Sequence, residues 1–170
     1  MSAPSTRLRS AARLSPFAEL VRLAGRRPTA QEARTWVVAA PMVFVDHRRD
    51  VQVVYTLEEG FLTDLASVPW FVSWMIDPLS WPWVDAGVVH DAGYAVLAPD
   101  RATADRWFRD VARGEYGDGQ AGAWAAWVAW VALRLFGLPA WRNNRARLAA
   151  EGPRWRSLRP HDDREVPCRA

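Results

Sequence analysis

Two runs rich in β-branched and aromatic residues, WVVAAPMVFV at 36–45 and DVQVVYTL at 50–57, are each about the length of a strand. Between them lies the polar stretch Asp46, His47, Arg48, Arg49, an order that predicts an antiparallel hairpin turning at 46–49. Glu58, Glu59 and Gly60 end the second strand, and FLTDLASVP then leads to Pro69. Proline is tolerated in the first turn of a helix, so WFVSWMI at 70–76 is expected to form one or two helical turns. From Trp83 to about Leu97 the chain reads as a helix, with Ala86, His90, Gly93, Tyr94 and Leu97 recurring along one face. Ala98, Pro99 and Asp100 break it. Asp100 is an N-cap candidate for a second helix reaching about Arg113, with Ala104, Trp107, Phe108 and Val111 on one stripe. So short a connection makes the two helices antiparallel neighbours. Gly114 and the turn at 116–119 introduce a Trp-rich helix that stops at Gly137, Leu138, Pro139. Ahead of all this, residues 1–30 read as a loosely helical leader ending at Arg26, Arg27, Pro28. The expected class is α+β: a small N-terminal antiparallel hairpin or sheet followed by a mainly helical half with an antiparallel helix pair.

At 170 residues the chain suits one domain with enough apolar content to close a core. The expected organisation is a basic, partly disordered leader at 1–30, a folded domain at 31–142 and a basic, partly disordered tail at 143–170. All 22 basic residues other than histidine are Arg, as expected of GC-rich coding, and carry no functional message by themselves. Their placement does: six Arg face Glu19 in the first 30 residues, eight face four acids in 142–170, and eight face fourteen acids in 31–141. Basic ends around an acidic middle suit nucleic acid or an anionic membrane surface, or are simply solvated tails, since neither end holds a reader motif. The only cysteine, Cys168, excludes a disulfide framework and a Cys-based zinc cluster. The opening MSAPSTRLRSAARLSPFAEL has no continuous apolar core, so no secretory signal and a cytoplasmic start are expected. Gln120 to Leu133 is uncharged but falls short of the roughly 20 residues a spanning helix needs, and is expected to be a buried or interfacial helix.

The candidate chemistry centres on H-D-x-x-Y at His90, Asp91 and Tyr94. His90 and Tyr94 share a helix face, whereas Asp91 is rotated by about 100° onto another edge. Across the break at 98–100, Asp105 lies at an axial offset from His90 of only about 4 Å, within reach for packed helices. An imidazole held by a carboxylate has a fixed tautomer and a free second nitrogen, which is what activating water requires. Asp91 would then be placed to hold a divalent cation. The bland alternative is a half-buried core histidine beside two ordinary acids. Asp64, in a loop just after an apolar run, is either a binding carboxylate or the holder of an Asx turn. Ser67 lacks a nucleophile elbow, His47 lies in a charged turn and His161 in the polar tail. Eleven Trp fill a core or form a rim that docks on lipid or protein.

Three blocks, GFLTDLASVP at 60–69, AGVVHDAGY at 86–94 with DRATADRWF at 100–108, and AWVALRLFGLPAW at 129–141, resemble the phage-associated family of unknown function 1353 (DUF1353) over about 35–142. That resemblance implies a phage or prophage setting and no established activity. H-D-x-x-Y followed by an Ala-Asp helix also resembles the active-site helices of secreted and parvoviral phospholipases A2. There the His activates water, the adjacent Asp binds calcium, the Tyr supports the pair and a later Asp orients the His. Those roles map onto His90, Asp91, Tyr94 and Asp105. The Gly-rich calcium loop of those enzymes is replaced here by DPLSWPW, with Asp64 or Asp77 left as substitute oxygen donors.

Three functions follow as expectations. One is a His/Asp hydrolase acting on membrane lipid or another envelope component, with a divalent cation such as calcium. Another is a non-enzymatic virion or tail-assembly part partnered by phage structural proteins, and the third is nucleic-acid binding through the basic ends.

Overall fold

The computed structural model describes residues 5–8, 12–30, 32–48, 51–65, 83–115, 120–151 and 166–167. The fold is α+β, as the hydrophobic pattern implies, with antiparallel sheets in the N-terminal half and helices in the C-terminal half. Its strands are β1 (Ser5–Leu8), β2 (Leu14–Pro16), β3 (Trp36–Val38), β4 (Met42–Arg48), β5 (Val51–Leu57), β6 (Leu62–Thr63) and β7 (Val166–Pro167). The helices are α1 (Phe17–Leu23), α2 (Trp83–Ala92), α3 (Arg101–Glu115), α4 (Gln120–Phe136) and α5 (Leu138–Glu151). One sheet has the order β1-β4-β5-β7 and the other β2-β3-β6.

The hairpin forms, but its boundaries shift. β4 and β5 pair antiparallel with Phe44 opposite Tyr55 and Asp46 opposite Val53. Trp36–Val38, expected in the first hairpin strand, instead pairs with β2 and β6 in the second sheet. Pro41 stands between the two segments and cannot donate to a ladder, which is a physical reason for splitting the run. Asp46 belongs to the strand, not the turn. With side chains alternating, it shares the inward face with Met42 and Phe44 and is fully buried. There Arg106 of α3 meets it through two hydrogen bonds, at 3.0 and 3.2 Å.

The loosely helical leader expected at 1–30 also contributes strands. β1 pairs with β4 in register Ser5 to His47, and Thr6 is buried with its hydroxyl 3.5 Å from Asp46. Among the described residues of that segment only Phe17–Leu23 is α-helical. Strands this short are specified by the neighbour they pair with, so their own sequence carries little signal. At the other end, α5 carries the chain as helix to Glu151, through part of the segment read as a basic tail. The helical turns expected at 70–76 lie outside the described residues.

α2 runs through the centre: Trp83, Asp85, Ala86, Val88, Val89, His90 and Ala92 are all buried, so it is covered nearly all round instead of along one stripe. At Gly93 it passes into a π-helical turn, Gly93–Leu97, whose cap Ala98 N–H returns to the Gly93 carbonyl. Asp100 caps α3 as expected, accepting from the Thr103 N–H at 2.9 Å. The α3 stripe of Ala104, Trp107, Phe108 and Val111 is buried, and Trp107 stacks edge-on with Phe44 and tilts on Tyr55, tying helices to sheet. α4 presents Ala126, Ala129, Ala132 and Leu133 inward. Small residues fill that face, so the tryptophans expected to pack the core divide: Trp83 and Trp107 are buried, Trp124 and Trp127 exposed.

Candidate active site

The site is assembled where α2, the π turn, α3 and the end of α4 meet. Close approach of α2 and α3 is set at Gly93, where an added Cβ would stand 2.8 Å from the Ala104 Cβ. That proximity puts His90 against the residue following Ala104. The His90 Nε2 lies 3.1 Å from Asp105 Oδ1, and the Tyr94 hydroxyl donates to the same oxygen at 2.8 Å. The contact expected from spacing between His90 and Asp105 is present, with Tyr94 on the same oxygen. Their rings are close as well: His90 and Tyr94 have centroids 4.0 Å apart, and Phe108 meets the imidazole edge-on.

Asp105 has a further partner that the sequence reading did not name. Arg134, near the end of α4, donates from Nη1 to Asp105 Oδ2 at 3.0 Å, and Arg101 reaches within 3.8 Å of that oxygen. Arg101 also donates to the carbonyls of Leu133 and Arg134, holding the end of α4 in place. A signal was present: Arg134 is the one charged residue of α4. An isolated cation on an apolar helix needs a buried acid or water.

His90 is 1% exposed and Asp105 fully buried. Burial lowers the imidazole pKa, but the hydrogen bond to Asp105 and the negative charges of Asp91 and Asp105 outweigh it, so His90 is held above its ordinary value. Burial in turn raises Asp105, yet the His90, Tyr94 and Arg134 donors prevail and keep it below the usual carboxylate range. The phenol of Tyr94 is pushed up by burial and by the adjacent Asp105 charge, so it remains a donor. Both shifts favour the charged form of the pair, an imidazolium facing a carboxylate, over the neutral one.

The other ring nitrogen, Nδ1, faces Asp91, whose Oδ1 is 3.9 Å away, beyond hydrogen-bond range. Asp91 Oδ2 is held from the β6 side: the Thr63 hydroxyl donates to it, and so does the Leu65 N–H at 3.2 Å. Leu65 is the only non-glycine described with positive φ, 48°. Its side chain lies over Gly87, where a Cβ would come within 3.1 Å of Leu65 Cδ2. The 63–65 loop is therefore seated on one turn of α2, from Gly87 to Asp91. Asp64 in that loop is exposed. Among the described residues no group of three or more His, Cys, Asp or Glu gathers as a metal site. His47 sits on β4, paired with Gln52 and with Ser5, away from this cluster. Ser67, Asp77, His161 and Cys168 lie outside the described residues.

α5 closes the far side of Tyr94. Trp141 meets the phenol ring edge-on at 5.1 Å, the Arg145 guanidinium lies 4.2 Å over Trp141, and Arg145 donates to the Ala98 carbonyl. The Gly137 hinge between α4 and α5 faces the Tyr94 hydroxyl directly, leaving no room for a side chain.

The model of the family described as Protein of unknown function (DUF1353) matches residues 36–133. The chain belongs to DUF1353. That match contains β3 to β6, α2, α3 and Arg134's neighbour Leu133, so it covers every site residue except Arg134. No curated protein and no solved structure matches the chain. The DUF1353 region thus supplies His90, Asp91, Tyr94 and Asp105 on one scaffold, while α5 lies beyond it.

Proposed function

We propose that this DUF1353 protein is a His/Asp hydrolase of phage or prophage origin acting on an ester of the cell envelope, with membrane phospholipid as the first substrate class. One observation carries the reading. Asp105, itself fixed by Tyr94 and Arg134, takes one nitrogen of His90 and leaves Nδ1 directed toward Asp91. In the neutral form, with Nε2–H on Asp105, Nδ1 is the base: it takes a proton from water as the hydroxide adds to the ester carbonyl, then returns it to the leaving alcohol. Asp105 stabilises the imidazolium formed in between. The local likeness of the helix pair to phospholipase A2 helices supports the same assignment.

A divalent cation held by Asp91 with Asp64 is the cofactor form of this reading. The described donors do not complete such a site: Asp91 Oδ2 is already engaged by Thr63 and Leu65, and no third ligand gathers beside it. The test is release of fatty acid from mixed phospholipid vesicles by the purified protein, with calcium and with chelator, beside His90→Ala. Release lost in the variant supports the proposal; equal release, or none under any condition, removes it.

The 1% exposure of His90 favours a second reading, a non-enzymatic phage structural or assembly part in which the buried His90–Asp105 pair clamps α2 to α3. Under that reading His90→Gln lowers the melting temperature strongly in a protein with no hydrolytic activity. Nucleic-acid binding through the basic ends would show as a salt-dependent gel shift abolished by trimming both ends.

A further inference from the structure

The helices α4 and α5 carry an apolar ridge that the domain itself does not cover. Trp124, Trp127 and Leu135 are 61%, 54% and 68% exposed. With Val131 they follow spacings of three and four along a single face of α4. Phe136 and Leu138, also exposed, extend the ridge across the Gly137 break. A monomeric soluble surface rarely leaves two tryptophans and three large aliphatic or aromatic side chains open side by side. Arg142, one turn beyond Leu138 on α5, is exposed beside them.

Charge indicates the occupant. From Gln120 to Ala150 there is no Asp or Glu at all, whereas Arg134, Arg142, Arg145 and Arg147 occur there. That is a reversal of the acidic excess in the rest of the central region, where acids outnumber Arg. Arg134 is engaged by Asp105 and Arg145 by the Ala98 carbonyl, so Arg142 is the exposed charge beside the ridge, and a second copy of this chain would offer it no carboxylate from the same acid-free face. An anionic lipid surface complements it in both respects: Trp and Leu enter the headgroup boundary, and Arg meets the phosphates. Among the described residues no single helix is long and apolar enough to cross a membrane. Ala123–Phe136 and Leu138–Ala146 are together long and apolar enough to cross but bend by 61° at their break, a shape that can lie along an interface.

We infer that the Trp124–Trp127–Leu135–Leu138 ridge, with Arg142 at its edge, docks the protein on the anionic face of a lipid bilayer. This goes beyond the hydrolase reading and stands without it. Leu135 of the ridge is next to Arg134, which holds Asp105, so docking would set the candidate site beside the bilayer.

The test is co-sedimentation of the full chain with phosphatidylcholine vesicles and with vesicles containing phosphatidylglycerol, for wild type and for Trp124→Gln/Trp127→Gln/Leu135→Gln. These side chains are more than half exposed, so an unchanged melting curve is expected for the variant. Wild type should bind the anionic vesicles, and the triple variant should bind at least roughly tenfold more weakly. Arg142→Glu should weaken binding about tenfold, and added salt should weaken it further. Absence of binding to anionic vesicles overturns the inference. So does equal binding by the triple variant, which would assign attachment to the basic ends, and so does a dimer in sedimentation equilibrium that the triple variant dissociates. His90→Ala separates the two proposals: it should bind vesicles as wild type does, and binding without hydrolysis by wild type would sink only the hydrolase reading.

Discussion

Asp105→Asn is the sharpest perturbation of the site, because it preserves shape and removes only the charge and one acceptor. In the native protein Oδ1 accepts from His90 and Tyr94, and Oδ2 accepts from Arg134. An amide cannot satisfy all three. If its oxygen stays toward His90 and Tyr94, its NH2 faces the Arg134 guanidinium, donor against donor. If it flips, His90 must change tautomer to accept at Nε2, and the proton moves to Nδ1. A buried unsatisfied donor costs about 1–3 kcal/mol. Loss of the charge opposite a buried imidazolium adds a comparable amount, as in the breaking of buried pairs. Arg134 is one-third exposed, so its share is screened and small. The sum is about 3 kcal/mol, or a melting-temperature drop of about 6–12 °C for a chain of this size. Thermal melts at pH 6 and pH 8 check it. The gap between wild type and variant should be larger at pH 6, where native His90 is protonated, than at pH 8. A loss below about 1 kcal/mol that is also independent of pH would refute the assignment of Asp105 as the charged partner of His90.

Further outcomes follow from the same geometry. Tyr94→Phe removes one donor to Asp105 while keeping the ring on Trp141, and should cost about 1 kcal/mol in urea unfolding. Gly137→Ala places a Cβ against the Tyr94 hydroxyl and 2.6 Å from the Leu133 carbonyl; a loss of about 2 kcal/mol or more is expected, measured by the same melts, and wild-type stability would contradict the close approach. The pH dependence has a definite sign. Because His90 is raised above 6.5 in the fold, its stabilising contribution is complete below that pH and fades as pH rises through the native value, and His90→Gln should flatten this fall. Hydrolysis, if His90 is the base, must run the opposite way, rising with pH along a limb displaced above 6.5.

The contacts most legible in the sequence were those set by local spacing. His90, Tyr94 and Asp105 met because a three-residue connection between two helices fixes their axial offset, and Asp100 capped α3 because capping is a property of four adjacent residues. What pattern reading missed was decided at long range. Asp46 read as a turn residue because its partner Arg106 is sixty positions away. β1 and β2 read as loose helix because a short edge strand exists only by virtue of β4 or β3 beside it. The tryptophans of α4 have the spacing of a core stripe, but Ala126, Ala129 and Ala132 occupy the inward face, and periodicity cannot say which of two apolar faces turns inward.

A clamp and a catalytic dyad place the same demands on the Nε2 side of His90. Either needs a buried acid, and either gains from Tyr94 and Arg134 holding it. The two differ at Nδ1. A clamp needs nothing there beyond apolar packing, yet the protein sets a second carboxylate, Asp91, 3.9 Å from that nitrogen and fixes it with the Thr63 hydroxyl and the Leu65 N–H. Leu65 adopts φ 48° to do so, a conformation that costs a bulky residue on the order of 1 kcal/mol or more. Asp91 also opposes loss of the His90 proton, which serves no packing purpose in a helix already buried all round. Strain and charge concentrated on the one edge of the imidazole that the clamp leaves unused weigh toward a site at which something is bound or a proton is exchanged.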